Sequence, residues 1–313
     1  MGRDYDESSE NHCKYVGSRG IMKSCTVYSR APRSSIRVIN GYDDHFEQDL
    51  VDGDILYICN AAIPEFRKLL FGISAKIVLV SGDCDVCCWQ DMFSSKNEFL
   101  MFIENPKIIH WFAQNCICID HPKLSQMPIG LDYHTMSERT MAWGPRTTPV
   151  EQEAQLEGIV STLSKPWSQR KYKTVAYSNF HFAMNTRFAM DRRNAIVQLP
   201  KDCVYYEPEH ILRKDTWQKQ TDFVFVASPH GGGLDCHRTW EALVLGCIPI
   251  VRTSPLDPLF EGLPVWIVRE WNEVTAENMR RVIADFETRT FHREKLRLDY
   301  WMEKIREKTG NMK

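Results

Sequence analysis

Two stretches concentrate the side chains that can do chemistry. The first runs from Asp222 to Phe260, DFVFVASPHGGGLDCHRTWEALVLGCIPIVRTSPLDPLF. Its middle holds Ser228, His230, three consecutive glycines (Gly231, Gly232, Gly233) and Asp235, followed by Arg238 and Glu241. Glycine leaves no Cβ between the backbone and a ligand. A helix start just beyond offers free N–H groups and the positive end of a dipole, so the natural guest is a phosphate. Arg238 and Glu241 are three residues apart and share a helix face. The guanidinium can fork onto diphosphate oxygens, and the carboxylate can accept hydrogen bonds from ribose hydroxyls. The competing reading is a solvated ion pair worth roughly 0.2–0.5 kcal/mol beside an ordinary turn. The coincidence of glycines, helix start and Arg/Glu pair favours binding.

The second stretch is split. SGDCDVCCWQD carries Asp83, Asp85, Trp89 and Asp91, and PIGLDYHT carries Asp132, Tyr133 and His134. Carboxylates and an imidazole are the groups that take a proton at neutral pH, and an indole is a flat surface for a sugar ring. A loop carboxylate more commonly caps a turn, and a lone loop histidine is more commonly structural. The glycines also exclude chemistry: a dinucleotide fingerprint needs a third glycine where Cys236 stands, and no Gly-Lys-Ser/Thr phosphate loop is present.

The elements that must position these groups follow from apolar patterning. DFVFV is a buried strand, Pro229 breaks it, Asp235 caps a helix over Cys236 to Leu245, Gly246 ends that helix, and CIPIV is the next strand. DILYICN and AKIVLVSGD are buried strands around a helix opened by Pro64, after a start at SIRVIN; ENPKIIHWFAQNCICID adds a helix-to-strand passage. In the second half KTVAYS exits at Tyr177, Ser178, Asn179 and His181, a helix carries Arg187, Arg192 and Arg193, CVYY and PVWIV are strands, and two long helices close the chain. For Arg192 and Arg193 the expected place is a solvated basic face.

Phe-rich strand, Pro, glycine loop, Arg238-x-x-Glu241-Ala242, then Gly246 to Pro249, with LPVWIVREWNEV downstream, resembles the exostosin-type glycosyltransferases over about the last third of the chain. Family members usually carry an N-terminal membrane anchor, and none is expected here, so the sequence looks most like the short glycosyltransferases of large algal viruses. The resemblance implies an α/β, GT-B-like fold, with two Rossmann-like domains whose parallel sheets face a central cleft. It implies an inverting, metal-independent transferase moving a sugar from a UDP-sugar, UDP-xylose first, to a glycan hydroxyl on a glycoprotein. On that reading Ser228, His230, Gly231 to Gly233, Asp235, Arg238, Glu241, Arg187 and Tyr177 bind the donor. Trp89 and Asp132 bind the acceptor, and Asp83 or else His134 is the catalytic base. Asp83 and Asp85 match an Asp-x-Asp metal motif, but they stand in the acceptor half, and no metal is expected. Two other classes stay open: a non-catalytic sugar-nucleotide or glycan-binding partner of another transferase, and a nucleotide-dependent oxidoreductase or epimerase.

Composition sets bounds. The chain has 313 residues, 43% hydrophobic and 26% charged, with formal net charge −2, ordinary for a globular protein and without the basic excess of a nucleic-acid binder. Eleven cysteines, several in apolar runs, together with no signal peptide and no spanning segment, lead us to expect reduced thiols, no stable membrane insertion and a cytoplasmic setting. The expected organisation is a flexible arm over 1–34, an acceptor-side domain over 35–150, a linker over 151–169 and a donor domain over 170–313.

Overall fold

The computed structural model describes residues 6–117 and 120–310. The short β-branched runs become two separate parallel sheets. In the first, β1 (Ile55–Cys59), β2 (Ile77–Gly82), β3 (Ile108–Ala113) and β4 (Leu124–Gln126) lie in that order. The second has the order β6 (Val204–Tyr206), β5 (Tyr172–Ser178), β7 (Phe223–Ala227), β8 (Ile248–Arg252), β9 (Trp266–Val268). Every residue of β1, β2 and β7 is buried, as expected of parallel strands covered on both faces.

Helices cover those faces. In the first half they are α1 (Ser18–Ser24), α2 (Phe46–Asp49), α3 (Ile63–Leu69), α4 (Lys96–Ile103) and α5 (His134–Glu138). α6 (Pro149–Leu163) stands between the halves, and α7 (Ala189–Gln198), α8 (Arg213–Gln220), α9 (His237–Val244), α10 (Ala276–Phe286) and α11 (Leu298–Glu307) follow. One apolar cluster runs through both halves, joining Val78, Val80 and Phe112 of the first sheet to Leu156 and Ile159 of α6, Trp217 of α8, and Trp240 and Leu243 of α9. The strands of both sheets deliver their carboxyl-end loops to a shared cleft, the GT-B-like arrangement expected.

Four details depart from the sequence reading. Residues 6–34 are not a loose arm: Cys13, Val16, Ile21, Met22 and Cys25 are buried. Lacking periodicity of their own, they are held by α11, whose Leu298, Trp301, Met302 and Ile305 join the same cluster. The Leu298 N–H donates to Lys14 O at 2.9 Å and the Val16 N–H to Leu296 O at 2.9 Å. The C-terminal helix therefore crosses back onto the first half. SIRVIN forms no strand; Ser35 has φ +60° and Val38 is half exposed. NCICID is not a strand extension either, since β3 ends at Ala113 and Asn115 turns left-handed with φ +47°; its Cys118 and Ile119 lie outside the described residues. The 151–169 segment is mostly α6, begun by a Thr148/Glu151 capping box and Pro149. Its buried Glu153 accepts from the Lys14 and Tyr15 N–H groups and the Tyr133 hydroxyl at 2.7–2.9 Å, so it is a junction that packs.

Among the described residues no helix is long and apolar enough to cross a membrane.

Candidate functional site

The glycine loop lies where β7 ends, as expected, and the first half presses against it. A Cβ on Gly232 would stand 2.0 Å from Asp85 Oδ2, and one on Gly233 2.7 Å from Asn115 Nδ2. Asn115 is fully buried and held at both ends, donating to Cys84 O at 3.1 Å and accepting from the Asp235 N–H at 2.9 Å. These two glycines thus make room for side chains of the opposite half. Gly233→Ala is expected to cost about 1–3 kcal/mol through overpacking, checked by urea unfolding; an unchanged midpoint would mean that the halves do not pack here.

Asp235 does not cap α9; Cys236 holds that position. Its buried carboxylate instead accepts from Ile129 N–H of the first half at 2.8 Å, from Trp240 Nε1 at 2.9 and 3.0 Å, and from Cys236 N–H at 2.9 Å. Burial pushes it up to about 6 while those donors pull it down. It is a strap between halves and not a ligand contact. His230 is likewise tied off: its N–H donates to Asp191 at 2.9 Å and its Nδ1 donates to Leu234 O at 2.8 Å.

The donor-side cation is double. Arg238 Nε donates to Asn179 Oδ1 at 3.2 Å and Nη1 to Ser228 Oγ at 3.4 Å. Arg192, expected on a solvated face, is buried, and its Nε donates to His230 O at 3.1 Å. A Cβ on Gly231 would lie 2.3 Å from its Nη2. Neither guanidinium has a carboxylate within the 4.0 Å ion-pair limit among the described residues. Burial, with the neighbouring Arg192 charge, pulls Arg238 below the ordinary arginine value, against Cys236 and Glu241. Two desolvated, unpaired cations beside strand ends are a strong attraction for a dianion.

Two expected donor ligands sit elsewhere. Tyr177 is in the core, and its hydroxyl donates to Glu207 at 2.9 Å. Arg187 forms a two-pronged ion pair with Asp91 across the cleft mouth, so its charge is already neutralised.

The first half contributes a cavity of about 520 Å³ at the carboxyl ends of its strands. Asp83 lines it with φ +53°. Its carboxylate is engaged by the buried Arg19, at 3.4 Å, and by the Ser34 hydroxyl at 3.2 Å. His134 opens α5 from the same wall, with Nδ1 3.1 Å from Asp132 Oδ1; Asp132 Oδ2 receives Arg213 Nη2 at 3.1 Å. Burial alone would raise Asp132, but His134, His237 and Arg213 hold it well below the usual carboxylate range. Burial pulls His134 down, with Asp132 opposing. Asp132 is thus the partner of His134 and of α8, not a free acceptor ligand. Trp89 is not in this wall: its ring packs on Phe99, centroids 5.5 Å apart, in the first-half core.

His237, the first residue of α9, reaches into this cavity from the second half. Its Nδ1 donates to Gly130 O at 2.7 Å, and its ring centroid is 6.0 Å from that of His134.

No protein family and no curated protein matches the sequence. Among solved structures, the fold is similar to TarM at TM-score 0.37 and 11% identity, over 86% of this chain and 54% of that one. It is also similar to a structure described as trehalose-6-phosphate from E. coli bound with UDP-2-fluoro glucose, at TM-score 0.34 and 11% identity, over 85% and 72% of the two chains. A study of trehalose-6-phosphate synthase, titled for glycosyltransfer with retention, supplies another at TM-score 0.31 and 12% identity, over 83% and 71%. The chain spans about half the length of TarM. Similarity at this level concerns fold outline alone.

The sequence missed two residues of the cleft. Arg192 carried no local signal: it shares the buried face of α7 with Ala189, Asp191 and Ala195, and the partners of Arg192 and Asp191, His230 and Trp271, are 38 and 80 residues away. His237 follows Asp235 by two positions in the best-read stretch and was passed over for its neighbour Arg238.

Proposed function

We propose that the protein is a nucleotide-sugar-dependent glycosyltransferase, with the donor held by the second half and the acceptor in the first-half cavity. The observation that carries this is the joint placement, across one cleft, of two guanidiniums without carboxylate partners (Arg192, Arg238) and an imidazole whose Nδ1 lies 3.1 Å from a carboxylate (His134, Asp132). A diphosphate leaving group gains negative charge as the glycosidic bond breaks, and fixed cations stabilise it most in the transition state. Arg238 and Arg192 supply that charge, Glu241 receives ribose hydroxyls, and Ser228 and Asn179 orient Arg238. His134 Nε2 removes the acceptor hydroxyl proton as that oxygen attacks the anomeric carbon. One base and one displacement give inversion. With two arginines on the diphosphate, turnover is expected to need no added metal. UDP-xylose is the first donor to try and a glycan hydroxyl the acceptor.

The test is a thermal-shift panel of UDP-, GDP- and CMP-sugars with and without EDTA, followed by NMR of the product anomer. A ligand at 100 times its Kd adds about 2.7 kcal/mol, a readily measured rise. A selective, EDTA-insensitive shift and an inverted product support the reading. A retained anomer removes His134 as base, and no shift with any nucleotide removes the transferase.

A further inference from the structure

The cavity holds two imidazoles; a hydrogen bond fixes the tautomer of His237, and a nearby carboxylate biases that of His134. A carbonyl oxygen only accepts, so the 2.7 Å contact to Gly130 O requires the proton on His237 Nδ1. That carbonyl cannot move away: Gly130 has φ +66° and is paired with Gly17, and a Cβ there would lie 2.1 Å from Val16 O. The Asp132 carboxylate, ion-paired with Arg213, lies 3.1 Å from His134 Nδ1 without a formed hydrogen bond, and because it would repel a lone pair there it favours the proton on His134 Nδ1. Each uncharged ring therefore presents Nε2 as a hydrogen-bond acceptor without a donor of its own, and neither Nε2 has a partner among the described residues. The rings are 6.0 Å apart, centroid to centroid, at an interplanar angle of 57°, and both line the same cavity.

One hydroxyl has one proton and cannot satisfy both nitrogens. Two hydroxyls on adjacent carbons can, each donating to one ring. A vicinal diol brings two donors at once, so both acceptors can be satisfied by one ligand. We infer that the acceptor site reads a vicinal diol of a sugar, with one hydroxyl donating to His134 Nε2 and its neighbour to His237 Nε2. This rests on the glycosyltransferase reading for its consequence: the hydroxyl on His134 is glycosylated, its proton passing to Nε2 as the C–O bond forms and the diphosphate leaves with the electron pair of the broken bond. His237 then positions the acceptor. Because α9 also carries Arg238, the diol is held by the element that holds the donor phosphate, which sets the attacking oxygen against the anomeric carbon.

The test crosses protein and substrate. The probes are methyl glycosides of xylose, glucose, mannose and galactose and their monodeoxy analogues, used with wild type, His237→Ala and His237→Asn. Asparagine keeps a donor to Gly130 O and removes only the Nε2 acceptor, so a folding defect of the alanine variant would not spoil the test. For the glycoside that serves best, removing the neighbouring hydroxyl is expected to raise acceptor KM about 10-fold or more in wild type. The same rise is expected for His237→Asn on the full diol, and no further rise when both changes are combined. Additive losses would overturn the inference. A second readout needs no turnover: long-range ¹H–¹⁵N spectra of the imidazoles at millimolar methyl glycoside. Both Nε2 resonances are expected to shift with the diol and only one with the monodeoxy analogue. Shifts of both without any glycosyl transfer would sink the transferase and keep the diol site. No shift at either Nε2 with any glycoside sinks the diol site.

Discussion

Replacing His134 with alanine is expected to lower kcat for glycosyl transfer by about 10²- to 10⁴-fold, the usual worth of a positioned general base, with little change in donor KM. The pH profile separates loss of a base from loss of shape. Wild-type kcat/KM falls on the acid side as His134 takes up a proton. Because burial outweighs Asp132 and pulls His134 down, that limb lies below the ordinary histidine value of about 6.5. His134→Ala abolishes the limb. Asp132→Asn is expected to lose nearly as much, for a different reason: a carboxamide can turn its NH₂ toward Nδ1, which moves the ring proton to Nε2 and leaves no acceptor for the substrate hydroxyl. It also removes the ion pair with Arg213, so the two variants differ in stability while agreeing in rate. An acid limb that survives in His134→Ala assigns the proton to another group, and Asp83 is the next carboxylate in the cavity.

What the sequence made legible was local. DFVFV, the break at Pro229, the helix behind it and CIPIV became β7, the loop, α9 and β8 almost as read, because strand burial and helix periodicity are written in adjacent residues. The α/β class followed from the alternation of such units, and the GT-B-like arrangement from the family resemblance. The roles of single polar residues were less legible because their partners are distant in sequence. Asp235 reads as the cap of a helix starting at Cys236, yet three-dimensional closure gives its carboxylate to Ile129, 106 positions earlier. Glycines 232 and 233 read as room for a phosphate, and the structure shows them making room for Asp85 and Asn115. In both cases the residue type correctly announced a demanding backbone environment. Which molecule fills that environment depends on how the two halves meet. The buried N-terminal segment illustrates the same limit: nothing in residues 13–25 shows that a helix 280 positions away covers them.

Arg238→Ala is expected to reduce kcat/KM by about 10²- to 10³-fold, the scale for deleting one preorganised group that meets developing charge, and to do so without destabilising the free protein. The second half of that expectation is the more diagnostic. A guanidinium in a structural ion pair, once removed, strands its carboxylate and costs several kcal/mol. Arg238 has no carboxylate partner: its contacts are Asn179, Ser228 and the Cys236 side chain, burial and Arg192 both disfavour its charge, and Cys236 and Glu241 only partly offset them. Free protein therefore pays to keep two cations together, and a bound diphosphate relieves that cost, so affinity is drawn from repulsion already present. Urea midpoints for Arg238→Ala equal to or above wild type, with the thermal shift on UDP-sugar lost, are the expected pair of results. Arg238→Lys should recover little, because a point charge cannot fork onto two phosphate oxygens. Arg193→Ala, exposed on the same helix as Arg192, should change neither quantity. A destabilised Arg238→Ala that still binds and turns over donor would make this arginine a strut of the β7 loop and move the phosphate elsewhere.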